Sequence, residues 1–408
     1  MNVLVVLEHR FLRTPDGAVW STSGCAYPFW ARYRDVFDSV RIVARAAEVP
    51  EAKPGWLRVD GPGVSVAAIP TYVGPRQYLL RRGEVRRAVR DAFVPGDAVI
   101  LRVGSVLADA LLPRLREMNY PYGVEVVSDP WDVFSPGAVR HPLRPFFRRW
   151  FVHRLKEQCL GASAAAYVTE SALQRRYPPA ANVFSTGCSD VELPREAFSD
   201  FPRPHRNLSN GATIITVGTL EQLYKAPDVL VDAVGLAVKD GLDLRLVFVG
   251  DGQYRSWLQE RADKAGLAGR VRFAGWLPVG AGVRHELDQA DLFILPSRQE
   301  GLPRAMIEAM ARGLPCIGST VGGIPELVPE DDLVPPNDAR ALADKIRDIV
   351  RSPARMEEMS IRNLHKAGEY REEVLAGRRR TFYRQVLEIT RSATGRIGTM
   401  APIAGAVK

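Results

Sequence analysis

The chain has 408 residues, of which 46% are hydrophobic and 25% charged, and it carries a formal net charge of +8. That length accommodates two domains, each able to bury a full core, and the composition excludes a disordered or collagen-like chain. The only early apolar run, Val3 to Leu7, is cut short by Glu8-His9-Arg10, so neither a signal peptide nor a spanning helix is expected and the expected location is cytoplasmic.

In chain order, six short apolar runs fill the first half: NVLVVLE (2–8), SVRIVAR (39–45), VSVAAIP (64–70), DAVILRVG (97–104), YGVEVVSD (122–129) and AAAYVTE (164–170). Nearly continuous apolar runs of this length suit strands buried on both faces of a parallel sheet. Between them lie two strongly basic stretches, 76–90 and 140–156. Such stretches attract phosphate-rich partners, although a solvated helix face is an equal reading of either one.

The stretch 194–211 is polar, rich in Pro and Asn and without periodicity, as expected of an interdomain linker. The pattern then restarts with TIITVG (213–218), LRLVFVG (244–250), RVRFAG (270–275), DLFILPS (291–297), LPCIGS (314–319) and DDLVPP (331–336), with helices between them closed by glycines. The fold class is therefore α/β: two doubly wound, Rossmann-like domains with a groove between them. The expected divisions are 1–205 for the first domain, 206–375 for the second, and a flexible tail over 392–408.

Cys25, Cys159, Cys188 and Cys316 lie far apart with no C-x-x-C spacing. Reduced thiols are expected, with no zinc cage or disulfide framework.

In open α/β sheets, ligands bind where strand ends meet helix N-termini. Four loops of the second half collect unusual residues there: Gly218-Thr219 leading to Lys225, Gly250-Asp251-Gly252, Gly275-Trp276, and Ser297 to Glu308. In EGLPRAMIE, Glu300 precedes a helix and Glu308 lies within it. Exposed amides at such a helix start attract oxygen ligands, and carboxylates accept hydrogen bonds from sugar hydroxyls. Taken alone, the spacing is equally that of capping chemistry.

The ordered set of loops resembles a known family, the retaining glycosyltransferases of family 4 with the GT-B fold, in which two Rossmann-like domains face each other across a cleft. Glu300 and Glu308 match the family's E-x7-E, and the wording of PSRQEGLPRAMIEAMARGLPCIGSTVGGIPELV follows it. TVGTLEQLYKAPDVLVDAV, LVFVGDGQYR and VRFAGWLP are similar to its preceding units. The resemblance covers roughly 212–390 specifically and the first half loosely.

It implies hexosyl transfer from a nucleoside diphosphate sugar to a hydroxyl acceptor, and since no well-placed Asp-x-Asp follows a strand while Lys225 and helix amides are available to the leaving diphosphate, no divalent metal is expected. No cofactor is implied, and the second domain would bind the donor and the first the acceptor. Glu308 would hold the ribose hydroxyls and Glu300 would contact the transferred sugar. Lys225 would neutralise the diphosphate with help from the amides of the loop that runs through Gly301, Leu302, Pro303 and Arg304, and Gly275, Trp276 and Leu277 would lie near the base. Gly218 and Thr219 would belong to the phosphate loop. Relatives commonly carry an arginine where this chain has Thr219, so Arg298 or Arg304 is the candidate replacement. Helices near 376–391 would cross back to the first domain.

On the acceptor side, Asp16-Gly17 would turn near the crevice in a loop spanning 8–24, and His9 is either a ligand or a structural histidine. Many relatives place a histidine near the end of the strand at 124–128. Asp129 or Asp132 would take its role here, helix capping being the competing duty, and His141 comes too late in the chain. The 140–156 stretch interleaves Phe146, Phe147, Trp150 and Phe151 with arginines. Such a helix either rests on an anionic membrane or places its aromatics in the core.

The implied setting is exopolysaccharide or cell-envelope assembly on a lipid-linked acceptor, with the enzyme peripheral to the membrane. Tailoring of a small secondary metabolite, or an epimerase or phosphorylase on the same fold, is the alternative. A nucleic-acid binder is disfavoured by the lack of any groove-reading motif, and a dehydrogenase by the lack of G-x-G-x-x-G after a strand.

Overall fold

Among the described residues, fifteen strands form two sheets. They are β1 (Val3–Arg13), β2 (Val19–Ser21), β3 (Val40–Glu48), β4 (Leu57–Arg58), β5 (Val64–Ile69), β6 (Ala98–Val103), β7 (Gly123–Val126), β8 (Ala164–Tyr167), β9 (Phe184–Gly187), β10 (Ala212–Val217), β11 (Leu244–Val249), β12 (Val271–Gly275), β13 (Leu292–Leu295), β14 (Cys316–Ser319) and β15 (Leu333–Val334). This computed structural model describes residues 1–399 apart from 23, 135–140, 192, 205–207, 209–210 and 279.

The parallel strands of the first sheet run in the order β5-β3-β1-β6-β7-β8-β9. Every residue of β6, β7 and β8 is buried, as sheets covered by helices on both faces require. The second sheet is parallel throughout, in the order β12-β11-β10-β13-β14-β15. Its central strands β13 and β14 are likewise fully buried.

The first strand differs from the sequence expectation. β1 does not stop at residue 8 but runs to Arg13, because Arg10–Arg13 continue the pairing with β3 after a bulge while Leu12 and Arg13 pair with the antiparallel β2. His9 is therefore a strand residue, and the loop shrinks to a tight turn at Thr14–Ala18.

The contacts of the linker begin on the second domain earlier than the expected boundary at 205. The Ser199 amide donates to the Ala311 carbonyl, and the Arg203 guanidinium donates to the carbonyls of Arg312 (3.0 Å), Leu287 (2.8 Å) and Ala290. The chain then returns. Helix Glu372–Thr399 buries Phe382, Tyr383 and Val386 among Val3, Val5, Ile100 and Ala164 of the first sheet. It also continues through 392–399, where a tail was expected, and the tail's residues 400–408 lie outside the described residues.

Apolar packing crosses between the halves, since one cluster holds Val126 and Val168 of the first domain together with Leu302, Met306 and Ile324 of the second. The carboxyl ends of both sheets thereby meet.

Candidate functional site

The site forms where β10, β11, β12 and β13 end. After β10, Gly218 donates its amide to Val249, and Gly250 approaches so closely that a Cβ there would lie 2.0 Å from the Gly218 carbonyl oxygen. With φ at +134°, Gly250 also occupies backbone territory that side chains disfavour. Its own amide donates to Gly275. Three of the four expected loops are thus joined edge to edge.

Lys225 ends a short 3-10 turn, Leu223–Lys225, that precedes helix Pro227–Lys239. Its stem lies against Gly218, and its ammonium donates to Glu300 Oε1 at 2.7 Å. The Ser297 hydroxyl donates to the same oxygen at 2.7 Å. Both side chains of the pair are largely withdrawn from water, with 17% of Lys225 and 8% of Glu300 exposed. The structure therefore brings together two of the residues picked from sequence and adds Ser297, whose role as the third partner the sequence did not reveal.

Glu308 sits on helix Arg304–Ala311. Among the described residues its carboxylate has no hydrogen-bond partner, and burial raises its pKa while Arg304 and then Arg284 pull it down. The helix start has no side-chain cap, so its first amides stay open to a ligand. Leu302 and Pro303 are buried, whereas Arg304 is exposed and forms no ion pair among the described residues. Trp276 is exposed, Gly275 takes a positive φ, and Leu277 is partly buried against the core.

Of the two candidates to replace the arginine missing at Thr219, the geometry removes Arg298. Its guanidinium is bidentate to Asp228 (2.7 and 2.8 Å) and also donates to Asn337 Oδ1 (2.6 Å) and the Leu223 carbonyl (2.6 Å). Arg298 braces the turn that carries Lys225, and Arg304 is the open cation. Thr219 itself accepts from the Glu221 amide at 3.2 Å.

The first domain supplies the opposing wall. A Cβ on Gly301 would lie 3.2 Å from the Val127 carbonyl oxygen, which puts the Glu300–Gly301 loop directly on the end of β7. Arg304 is near enough to act electrostatically on Cys25, whose thiol is pushed up chiefly by burial.

Asp129 was chosen from sequence for sugar contact with helix capping as the competing duty, and the capping is present. Its carboxylate caps helix Pro130–Val133 through the Trp131 amide (2.9 Å) and accepts from the Tyr177 hydroxyl and the Arg176 guanidinium. Three of the roughly four acceptor positions of a carboxylate are thereby taken. Asp132 is different. Among the described residues its Oδ2 is buried without a partner, and burial, then the Asp129 charge, raises its pKa to about 6.

Asp16 and Gly17 form the β1–β2 turn, and the Asp16 carboxylate accepts from Thr14 Oγ1 (2.5 Å) and the Ala18 amide (3.1 Å). Those bonds belong to the turn. Burial and then the charges of Arg45 and Arg102 lower the His9 pKa to about 4, which keeps its imidazole neutral. His141 is exposed and accepts from the Leu143 amide at 3.1 Å.

Helix Arg144–Leu160 divides its aromatics. Phe147 and Phe151 turn inward onto Phe134, while Phe146 and Trp150 stay exposed beside exposed Arg149. Exposed Trp131 lies under the Arg148 guanidinium at 3.6 Å. Arg140 of the basic stretch is outside the described residues. No described helix is long and apolar enough to cross a membrane. Among the described residues no group of three or more His, Cys, Asp or Glu is placed to hold a metal ion.

Comparison with known proteins locates this arrangement. Residues 211–352 match the family profile described as "Glycosyl transferases group 1". The chain is 27% identical over 348 residues to Protein CapJ of Staphylococcus aureus, covering 85% of this chain and 86% of that protein. It is 36% identical over 154 residues to the putative colanic acid biosynthesis glycosyltransferase WcaL of Escherichia coli (strain K12), covering 36% of this chain and 37% of that protein. Among solved structures, Anabaena Alr3699/HepE in complex with UDP-glucose superposes with a TM-score of 0.62 at 17% identity, over 96% of this chain and all of that one.

Proposed function

We propose that the chain, a glycosyltransferase of the GT-B fold with a group 1 domain over residues 211–352, moves a sugar, with retention of configuration, from a nucleoside diphosphate sugar to a hydroxyl of a growing cell-surface polysaccharide. The observation that carries the reading is the meeting of Lys225, Ser297 and Glu300 just before an uncapped helix whose Glu308 carboxylate has no hydrogen-bond partner among the described residues. Glu308 accepts the two ribose hydroxyls. Lys225, Arg304 and the amides at the start of helix Arg304–Ala311 take the diphosphate, and their positive potential stabilises it as it leaves. Lys225 is held ready by Glu300 and exchanges that partner for the stronger anion. Glu300, freed of part of its ion pair and steadied by Ser297, turns to the hydroxyls of the transferred sugar.

No cofactor is needed, and with these cations in place no divalent ion either; the departing phosphate oxygen receives the acceptor's proton. A polysaccharide setting is supported by the names of CapJ's companion relative WcaL and, as a second example, an amylovoran biosynthesis glycosyltransferase of Erwinia amylovora. UDP is the base carrier to try first, since HepE holds UDP-glucose. The acceptor is lipid-linked, and the exposed face formed by Trp131, Phe146 and Trp150 with Arg149 rests on the anionic bilayer that presents it.

The test is a thermal-shift screen of UDP-, GDP- and dTDP-sugars in EDTA. One donor is expected to raise the melting temperature, because a ligand that binds only the folded state adds stability. Glu308→Ala is expected to weaken that donor by roughly ten- to a hundredfold, the value of hydrogen bonds to a charged group. Unchanged donor affinity in Glu308→Ala refutes the assignment.

A further inference from the structure

The GGIPE segment that follows β14 contributes a carboxylate that no step of the transfer uses. Glu326 ends the 3-10 turn Ile324–Glu326, and its carboxylate reaches across to the first domain. There it accepts from the amides of Glu170 (2.7 Å), Ser171 (2.9 Å) and Ala172, and from the Ser171 hydroxyl (3.0 Å). Four donors on one carboxylate make a charge-assisted set, about twice as strong per bond as neutral ones. Those donors open the segment that follows β8, whose Thr169 in turn accepts from the Leu173 amide at 3.0 Å.

On its own side, Glu326 is tied rigidly to the donor loop. Gly323 donates to the Gly301 carbonyl at 2.6 Å, and Gly322 has φ at +54° with room for no side chain, a Cβ there lying 2.0 Å from the Glu300 carbonyl oxygen. A Cβ on Gly323 would lie 2.9 Å from Thr169 Cγ2, so the two domains touch on both sides of the carboxylate. An ion pair, Arg378 with Glu170, closes onto the same segment from the returning helix. Displacement of Glu326 therefore displaces Glu300 and Gly301 relative to β7 and β8.

We infer that Glu326 is a positioning residue: its carboxylate latches the second domain onto residues 170–172 and so holds Glu300 and Lys225 against the acceptor wall. The inference rests on the glycosyltransferase reading for its kinetic consequence but not for its structural one. Without the latch the donor still binds, because Glu308 and Lys225 lie wholly within the second domain. What is lost is the aligned, water-excluding arrangement of the two halves.

The experiment compares wild type, Glu326→Ala and Glu326→Gln; the Gln variant keeps one accepting oxygen and serves as the conservative form if the Ala variant does not fold. Solution scattering of the full chain is expected to show a larger radius of gyration for Glu326→Ala, with Glu326→Gln between it and wild type. UDP affinity should stay within about twofold, kcat for transfer should fall about tenfold, and the ratio of donor hydrolysis to transfer should rise. Superimposable scattering profiles overturn the inference, as does a loss of UDP affinity equal to the loss in kcat. Should the wild type turn over no nucleotide sugar, the function reading fails while the scattering comparison still decides the latch.

Discussion

Removal of the Lys225 ammonium is the sharpest probe of the cleft. The pair with Glu300 is 2.7 Å long, and 17% and 8% of the two side chains are exposed. At an effective permittivity near 20, the attraction across that distance is ~6 kcal/mol, and desolvation of both ions offsets most of it. Lys225→Met leaves Glu300 with only the Ser297 hydroxyl, and stripping one partner from a buried pair costs about 3 kcal/mol. Glu300→Gln, which leaves the ammonium unpaired, is expected to cost a comparable amount. The double variant restores neutrality, so its cost should fall short of the sum by about 2 kcal/mol, a coupling large enough to separate from additivity. Urea titrations of the four proteins, followed by circular dichroism at low and high salt, measure it. Additive single costs, with a coupling below about 0.5 kcal/mol, would refute the view that the two charges sustain each other, and with it the exchange of partners assigned to Lys225.

Two further outcomes follow from the first domain. The Asp132 pKa is raised to about 6 in the folded protein, so the stability contributed by its neutral form is complete below its unfolded value near 4 and is lost as pH rises through 6. Asp132→Asn should therefore melt at the same temperature as wild type near about pH 4 and higher near about pH 8; a constant difference across that range would contradict the buried, unpartnered Oδ2. Replacing Phe146 and Trp150 together by serine should reduce sedimentation with phosphatidylglycerol vesicles at least about fivefold without altering UDP binding, each exposed aromatic contributing apolar burial at the interface. Equal sedimentation of the two proteins would detach that helix from any membrane role.

Much of the second domain could be read directly because its signals are local. Strand runs such as LRLVFVG and DLFILPS are apolar throughout, so burial on both faces follows from composition alone, and the glycines that close the phosphate loops stand beside the strands they terminate. The first domain resists because its decisive partners are remote. Asp129 looks the same whether it caps a helix or meets a sugar, and the groups that occupy its carboxylate, Arg176 and Tyr177, come 47 and 48 residues later. Arg298 is misread for a similar reason, since Asp228 lies 70 residues upstream. The polar run His9-Arg10 hides the continuation of β1, which is sustained by backbone pairing to β2 and β3 rather than by hydrophobic periodicity. Glu326 carries a visible cue, a carboxylate after a double glycine, yet its four donors belong to the other domain.

The returning helix changes how the protein can be taken apart. The Glu372 amide donates to the Leu193 carbonyl at 3.2 Å, and the Arg371 guanidinium lies 4.9 Å over the Phe198 ring, so the outbound and inbound crossings of the chain run side by side. Paired crossings at one edge act like a book's spine, permitting rocking about a single axis and resisting torsion. An excised second half must accordingly be cut at two places close together in space, and a chain shortened before Phe382 strips the first sheet of part of its own covering.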